Sequence, residues 1–252
     1  MKTKLYIDNG QFQAGITLKT EMEPEKNNMA LHACVNPNDV IENRRNLAVS
    51  LGCTLEDFVC ANQTHSSNMQ KVSLADKGRG AERLDTAIAD TDALYTLDSN
   101  LVLCGFTADC VPVIFYNEVK GLVGVIHSGW QGTVKEITRK VFSHLQQAEQ
   151  CDPADFHVQI GSSLSQERFE VDQDVYDKFK ALGYADEFMY YNETTRKYHI
   201  DNQLTVKQQC ELAGIPLEQI AMDTTCTYDS PSGFSYRQDK QCGRHLSFIM
   251  RK

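Results

Sequence analysis

Three side chains that could hold a metal ion stand at the ends of short apolar runs: His65, Cys110 and His127. Judged singly, a buried histidine is more often a hydrogen-bonded structural residue, and a buried cysteine more often a small apolar one. Together, two imidazoles and a thiolate match the donor set of catalytic zinc sites, which leave a fourth position for water or substrate. Their long separations differ from the paired spacings of zinc fingers, so spacing neither supports nor excludes a common site.

The same residues allow two other kinds of site. Cys110 could act as a thiolate nucleophile with His127 as its base, in a cysteine hydrolase or transferase. Asp109 or Asp92 would then orient that base. Alternatively, a structural zinc ion would need four protein ligands, and Cys226 could be the fourth. Metal analysis of the purified protein and its coordination sphere would separate these alternatives.

Four sequence blocks that contain these residues resemble signature blocks of the laccase-domain family, also called polyphenol oxidases and peptidoglycan-editing factors. In chain order they read QTH at 63–65, DALYT at 92–96, ADCVP at 108–112 and HSGWQG at 127–132. The pair Asn43-Arg44 and the closing blocks CT, FSYR and GR, which begin at 226, 234 and 243, extend the likeness. The resemblance covers residues 28–250.

The resemblance implies an α/β/β/α sandwich in which His65, Cys110 and His127 bind zinc. It also implies two reactions of purine nucleosides. One is phosphorolysis of adenosine, inosine or guanosine to the base and ribose 1-phosphate. The other is deamination of adenosine to inosine, in which zinc activates a water molecule. The expected partners are therefore a small-molecule purine nucleoside and phosphate.

Candidate substrate-binding residues follow from the same blocks. By resemblance, Arg44, Arg237 and Arg244 could hold phosphate, although such arginines often only pair with surface carboxylates. The candidate set for substrate binding is Asn43, Arg44, Trp130, Phe234, Arg237 and Arg244. Asp92 and Glu170 are the candidate acids that would protonate departing ammonia, beside His65, Cys110 and His127 at the catalytic centre.

Two departures from the family pattern remove positive charge. Gln131 and Gln238 stand where the family usually has arginine, and Arg168 stands where it commonly has cysteine. Because a charge-assisted hydrogen bond is worth about 1.5 to 3 kcal/mol, we expect weaker binding of phosphate. None of the three predicted metal ligands is affected.

The name laccase implies copper oxidation chemistry, which the composition does not favour. A trinuclear copper cluster needs several more imidazoles than one such set, and the chain has seven histidines with no His-x-His pair. A mononuclear copper site with a distant methionine is chemically conceivable, but an open catalytic position fits zinc better. Polyphenol oxidation and the editing of peptidoglycan precursors remain alternative functions.

Composition limits the class of protein. A net charge of -9 argues against binding to nucleic acid or anionic membranes, which basic surfaces attract. No segment resembles a signal peptide or a membrane span, and nine scattered cysteines without CxxC pairs make a disulfide framework improbable. We therefore expect a cytoplasmic protein.

Hydrophobic periodicity predicts one mixed α/β domain over residues 1–252. A first helix begins after Asn36 and ends at Gly52, and others cover 132–148, the Val175 stripe up to Gly183, and 203–213. The predicted strands are 57–61, 93–96, 101–106, 111–116, 121–127, 156–160, 220–225 and 245–250. Hairpin-like neighbours alternate with helical crossovers, which predicts mixed rather than purely parallel sheets.

Overall fold

A computed structural model describes all residues of the chain, 1–252. Its helices are α1 (Pro37–Leu51), α2 (Trp130–Val134), α3 (Ile137–Ala148), α4 (Gln173–Lys180) and α5 (Asn202–Leu212). Its first seven strands are β1 (Thr3–Asp8), β2 (Phe12–Thr17), β3 (Phe58–Cys60), β4 (Met69–Lys71), β5 (Ala93–Thr96), β6 (Val102–Thr107) and β7 (Val111–Asn117). The others are β8 (Leu122–Ser128), β9 (Phe156–Ile160), β10 (Glu170–Val171), β11 (Met189–Asn192), β12 (Lys197–Ile200), β13 (Ile220–Met222) and β14 (His245–Arg251).

The strands form two large sheets and one small one. The first sheet has the order β1-β2-β14-β6-β3, and the second has the order β13-β9-β7-β8-β5-β4. Both are mixed, because β3 lies parallel to β6 while β14 lies antiparallel to it, and β13 lies parallel to β9. The small sheet, β10-β12-β11, is antiparallel throughout.

The hydrophobic core has three layers of contact, which define an α/β/β/α sandwich. Between the two large sheets, side chains of the first sheet such as Leu103 pack against side chains of the second such as Ile114. Helix α1 covers the outer face of the first sheet, and α3 and α5 cover the outer face of the second. The predicted mixed α/β layered fold in a single domain is confirmed.

Local sequence signals explain where α1 begins and ends. The Asn36 side chain accepts a hydrogen bond from the backbone N–H of Asn38 at 3.1 Å, Pro37 occupies the first turn, and Gly52 ends the helix at a φ of 74°. The predicted single helix over 132–148 is wrong, because it is two helices separated at Glu136. That residue has a φ of 59°, which interrupts the right-handed turn between α2 and α3.

Sequence periodicity predicted eight of the strands with small shifts at their ends, but β1, β2, β4 and the small sheet were missed. Strand β1 is half exposed and β2 is buried on both faces, so the two share no common hydrophobic pattern. The strands of the small sheet are two to four residues long. No helix combines the length and the apolar character that crossing a membrane requires.

Candidate metal and substrate site

The structure brings the three predicted ligands together. One donor atom from each of His65, Cys110 and His127 lies within 4.8 Å of the others, and the Cys110 Sγ is 3.9 Å from the His65 Nε2. Strands β7 and β8 are antiparallel, and Pro112 is paired with His127 in their register. Cys110, which immediately precedes β7, is therefore held beside the end of β8. His65 reaches the same place from the loop that follows β3.

Gly129 provides the space in which these side chains meet. A Cβ atom at this position would lie 2.7 Å from the His65 Cδ2 and 3.0 Å from the Cys110 Sγ. Carbon atoms in contact normally stand at about 3.5 to 4.0 Å. Its φ of -65° is open to any residue, so the requirement for glycine here is steric.

Asp92 organises the two histidines from behind. Its buried carboxylate accepts a hydrogen bond from the His127 Nδ1 at 2.8 Å, which turns the Nε2 of that ring toward Cys110. It also accepts from the backbone N–H groups of His65 and Ser66, and so holds His65 at its unusual φ of 59°.

The acid role considered for Asp92 does not fit this environment. Burial by itself would raise the pKa of the Asp92 carboxyl, but hydrogen bonds from His127 and Ser66 outweigh that effect and hold the pKa well below its ordinary range. A carboxylate that stays ionised has no proton to give, and Asp92 does not line the cavity described below. It is a positioning residue.

Cys110 and His127 stabilise each other as a thiolate and an imidazolium. Burial opposes ionisation of Cys110, but the charge of His127 and hydrogen bonds from both histidines lower the pKa of the thiol to about 6. Burial likewise disfavours protonation of His127, but the thiolate and the bond to Asp92 raise the pKa of the imidazole to about 9. A thiolate is the form in which cysteine binds metals and attacks electrophiles.

A cavity of about 420 Å³ opens beside His65 and Cys110. This volume lies within the range of small-molecule sites, which is roughly 300 to 1,000 Å³. The apolar and aromatic lining residues are Ala108, Trp130, Leu164, Phe169, Val171, Val175 and Tyr236. The polar ones besides the two ligands are Asp109, Glu170, Asp172, Asp174, Asn202 and Arg237.

Three of the candidates for substrate contact line this cavity. They are Trp130, Glu170 and Arg237. Trp130 is the first residue of α2, three positions after His127. The Glu170 carboxylate is about one third exposed and lies 3.6 Å from the Nε2 of His199.

Asn43, Arg44 and Phe234 do not line the cavity, so the structure corrects their expected role. The Arg44 guanidinium is 1% exposed and donates to the backbone oxygens of Met29, Gly80 and Ala81 at 2.6 to 2.8 Å. Asn43 likewise donates to backbone carbonyls, and the Phe234 ring packs against a buried imidazole. These side chains satisfy or cover buried backbone, which stabilises the fold around α1 and β14.

Arg244, Gln131 and Gln238 also lie outside the cavity lining. Arg244 packs over the ring of Tyr236 at 5.5 Å, and its Nη1 donates to the carbonyl oxygens of Cys242 and Gly243. Gln131 is an exposed residue of α2. The structure therefore gives no direct link between these two glutamines and the bound substrate.

Sequence reasoning missed most of the cavity wall. Asp109 and Tyr236 stand inside recognised blocks and could have been chosen for that reason. The segment 164–175, which supplies Leu164, Phe169, Val171, Asp172, Asp174 and Val175, carries no motif. It faces the metal ligands only because the small sheet and α4 fold over the ends of β7 and β8.

Fold and site together define a layered α/β protein with a His, Cys, His cluster at the base of a cavity large enough for a small molecule. Residues 16–252 match the family described as multi-copper polyphenol oxidoreductase laccase, and the chain belongs to that family. Purine nucleoside phosphorylase YlmD of Bacillus subtilis (strain 168) is 36% identical over 248 residues, which cover 96% of this chain and 89% of the relative.

Two crystal structures have nearly the same fold. The hypothetical protein YfiH of Bacillus licheniformis superposes with a TM-score of 0.94 at 36% identity, covering 100% of this chain and 97% of the other. YlmD from Geobacillus stearothermophilus gives a TM-score of 0.90 at 34% identity, with 96% and 93% covered. The family assigned by resemblance is thereby confirmed.

Proposed function

We propose that the protein is a zinc-dependent purine nucleoside phosphorylase that also deaminates adenosine. The observation that carries the proposal is the convergence of His65, Cys110 and His127 at the base of a cavity of about 420 Å³. Relatives at 33 to 36% identity that bear the name purine nucleoside phosphorylase support the choice of substrate.

The donor set fits zinc. Tetrahedral bonds of about 2.0 to 2.3 Å require ligand atoms about 3.5 Å apart, and the three donors need only a small contraction to reach that separation. Cys226 is not part of the cluster, because its Sγ accepts a hydrogen bond from the backbone N–H of Ser165. With three protein ligands and an adjoining cavity, the arrangement matches a catalytic rather than a structural zinc site.

The donor set does not fit a multicopper centre. Besides His65 and His127 the chain has five histidines, and none of them joins the cluster: His32, His144, His157, His199 and His245. His144 and His199, for example, are bound to Tyr95 and stacked on Tyr190, respectively. A trinuclear copper cluster therefore lacks the imidazoles that it needs.

A bound zinc ion would supply Lewis acid chemistry at the base of the cavity. The chain's own residues bind and orient the nucleoside: Trp130, Phe169 and Tyr236 offer aromatic faces to a purine, and Asn202 offers an amide. Glu170 is the remaining candidate acid for deamination. Its carboxylate lines the cavity and is partly exposed, so it can exchange protons with water.

Phosphate is expected to bind where cations converge beside the metal ligands. Of the three candidate arginines, Arg44 is used up by buried carbonyl groups, whereas Arg244 donates through a single nitrogen. Burial, followed by the positive charges of these two arginines and of His127, lowers the pKa of His32 to about 4. We therefore place phosphate near Arg244 and His32.

The contacts of Cys110 favour one alternative, a cysteine hydrolase or transferase. Cys110, His127 and Asp92 stand in the order nucleophile, base and orienting group, and the pKa of the thiol is lowered to about 6. Nine unpaired cysteines suit a reducing compartment, so we expect either enzyme to act in the cytoplasm.

The test is an assay of adenosine, inosine and guanosine, each with and without phosphate, on protein of measured metal content. We expect one zinc per chain, ribose 1-phosphate only when phosphate is present, and inosine from adenosine in either condition. His65→Ala and His127→Ala should abolish both reactions. If zinc-loaded protein converts none of these nucleosides, the proposed substrate is wrong. If Cys110→Ala alone is inactive, the cysteine-nucleophile alternative is correct.

A further inference from the structure

Arg237 is hydrogen bonded to both sides of the cavity. Its backbone N–H donates to the Asp109 Oδ2 at 2.6 Å, while the Asp109 Oδ1 accepts from the Thr227 hydroxyl at 2.7 Å. Asp109 has a φ of 81°, which is unfavourable for a residue with a side chain and persists only when neighbouring groups hold it. Because Asp109 precedes Cys110, these two bonds fix the direction from which the thiol enters the metal cluster.

The guanidinium of the same residue holds the opposite wall. The Arg237 Nη1 donates to the carbonyl oxygens of Arg168 and Glu170, each at 3.0 Å. Its Cζ atom lies 5.8 Å from the centre of the Phe169 ring, between those two residues in sequence. The segment that carries Phe169 and Glu170 into the cavity is therefore bound by side-chain contacts from Arg237.

We propose that Arg237 is a positioning residue that ties the segment 168–170 to Asp109, and that it does not bind phosphate. The planar, permanently charged guanidinium can donate to two carbonyl groups at once, which a lysine cannot reproduce in the same geometry. Through this link, the aromatic wall for the nucleoside and the residue beside Cys110 keep a fixed separation.

The charges of the cavity agree with this role. Arg237 is the only lysine or arginine among the lining residues, and Asp109, Glu170, Asp172 and Asp174 are all acidic. A phosphate ion placed there would meet four carboxylates and one guanidinium that already donates to two carbonyl oxygens. The cavity thus suits an uncharged nucleoside, with phosphate bound elsewhere.

The test compares Arg237→Gln and Arg237→Lys with Arg139→Gln, an exposed arginine of α3 that pairs with Glu136 outside the cavity. The kinetic part rests on the proposed function. We expect both Arg237 variants to raise the KM for nucleoside about tenfold, in the phosphate-dependent reaction and in deamination alike, with the KM for phosphate unchanged. Arg139→Gln should match the unaltered protein.

The outcomes separate the two roles. If Arg237→Gln raises only the KM for phosphate and Arg237→Lys restores it, Arg237 binds phosphate and the proposal is wrong. It is equally wrong if neither constant changes. Hydrogen exchange provides a readout that needs no activity, since backbone amides 168–171 should exchange faster in Arg237→Gln than in Arg139→Gln. Faster exchange in a protein that converts no nucleoside would keep the positioning role and refute only the proposed function.

Discussion

Gly129→Ala tests whether the metal cluster depends on the absence of a side chain at this position. The backbone there has a φ of -65° and a ψ of 163°, which alanine adopts without strain. The new methyl group would nevertheless stand 2.7 Å from the His65 Cδ2 and 3.0 Å from the Cys110 Sγ. Compared with a normal carbon contact, the His65 ring must retreat by about 0.8 Å or more.

Metal sites tolerate much smaller displacements, because ligand distances must hold to within about 0.2 Å. Changes that only disturb the support of a ligand cost roughly 10- to 100-fold in metal affinity. Since Gly129→Ala moves two ligands directly, we expect a loss of at least about 100-fold, or about 2.7 kcal/mol. The assay is competition for zinc with a chelator of known affinity, followed by the nucleoside reaction at saturating zinc.

Gly105→Ala is the matched control. It adds the same methyl group on β6, where the closest atoms, on Val125, are 3.9 Å away. We expect its zinc affinity to equal that of the unaltered protein, and the thermal unfolding of the metal-free Gly129→Ala protein to change little. Equal zinc affinity of Gly129→Ala and Gly105→Ala would refute the steric argument, and with it the assignment of His65 and Cys110 to one metal ion.

Three further results are expected. Asp92→Asn should weaken zinc binding about 10- to 100-fold because His127 loses its charged acceptor, whereas Asp90→Asn, at an exposed neighbouring carboxylate, should not; equal affinities in the titration would contradict this. In zinc-stripped protein, alkylation of Cys110 followed by mass spectrometry should rise as pH increases through about 6, since the thiol ionises there, and added zinc should block it; a midpoint near 8.5 would be inconsistent with the thiolate. Arg44→Ala should lower the free energy of unfolding in urea by about 3 kcal/mol or more while leaving the KM for nucleoside unchanged in the remaining folded protein, and the reverse pattern would restore Arg44 to the substrate site.

The sequence alone determined those features whose signals are local. Asn36 and Gly52 define α1 because a capping oxygen and a left-handed glycine act within a few residues of the helix ends. The apolar runs that became β7 and β8 were recognisable from β-rich composition and flanking turn residues. The ligand triad was chosen from donor chemistry together with family resemblance, since the separations along the chain carried no information.

The tertiary structure decided what each charged residue does. Asp92, Arg44 and Arg237 all stand in or near recognised blocks, and the sequence offered an acid and two phosphate ligands. In the fold, Asp92 bonds to His127 across 35 positions, and Arg44 and Arg237 donate to carbonyl groups 15 to 69 positions away. A side chain's chemistry is set by its residue type, but its partners are set by packing between distant segments, because a buried polar group must bond to whatever donors and acceptors the fold places beside it.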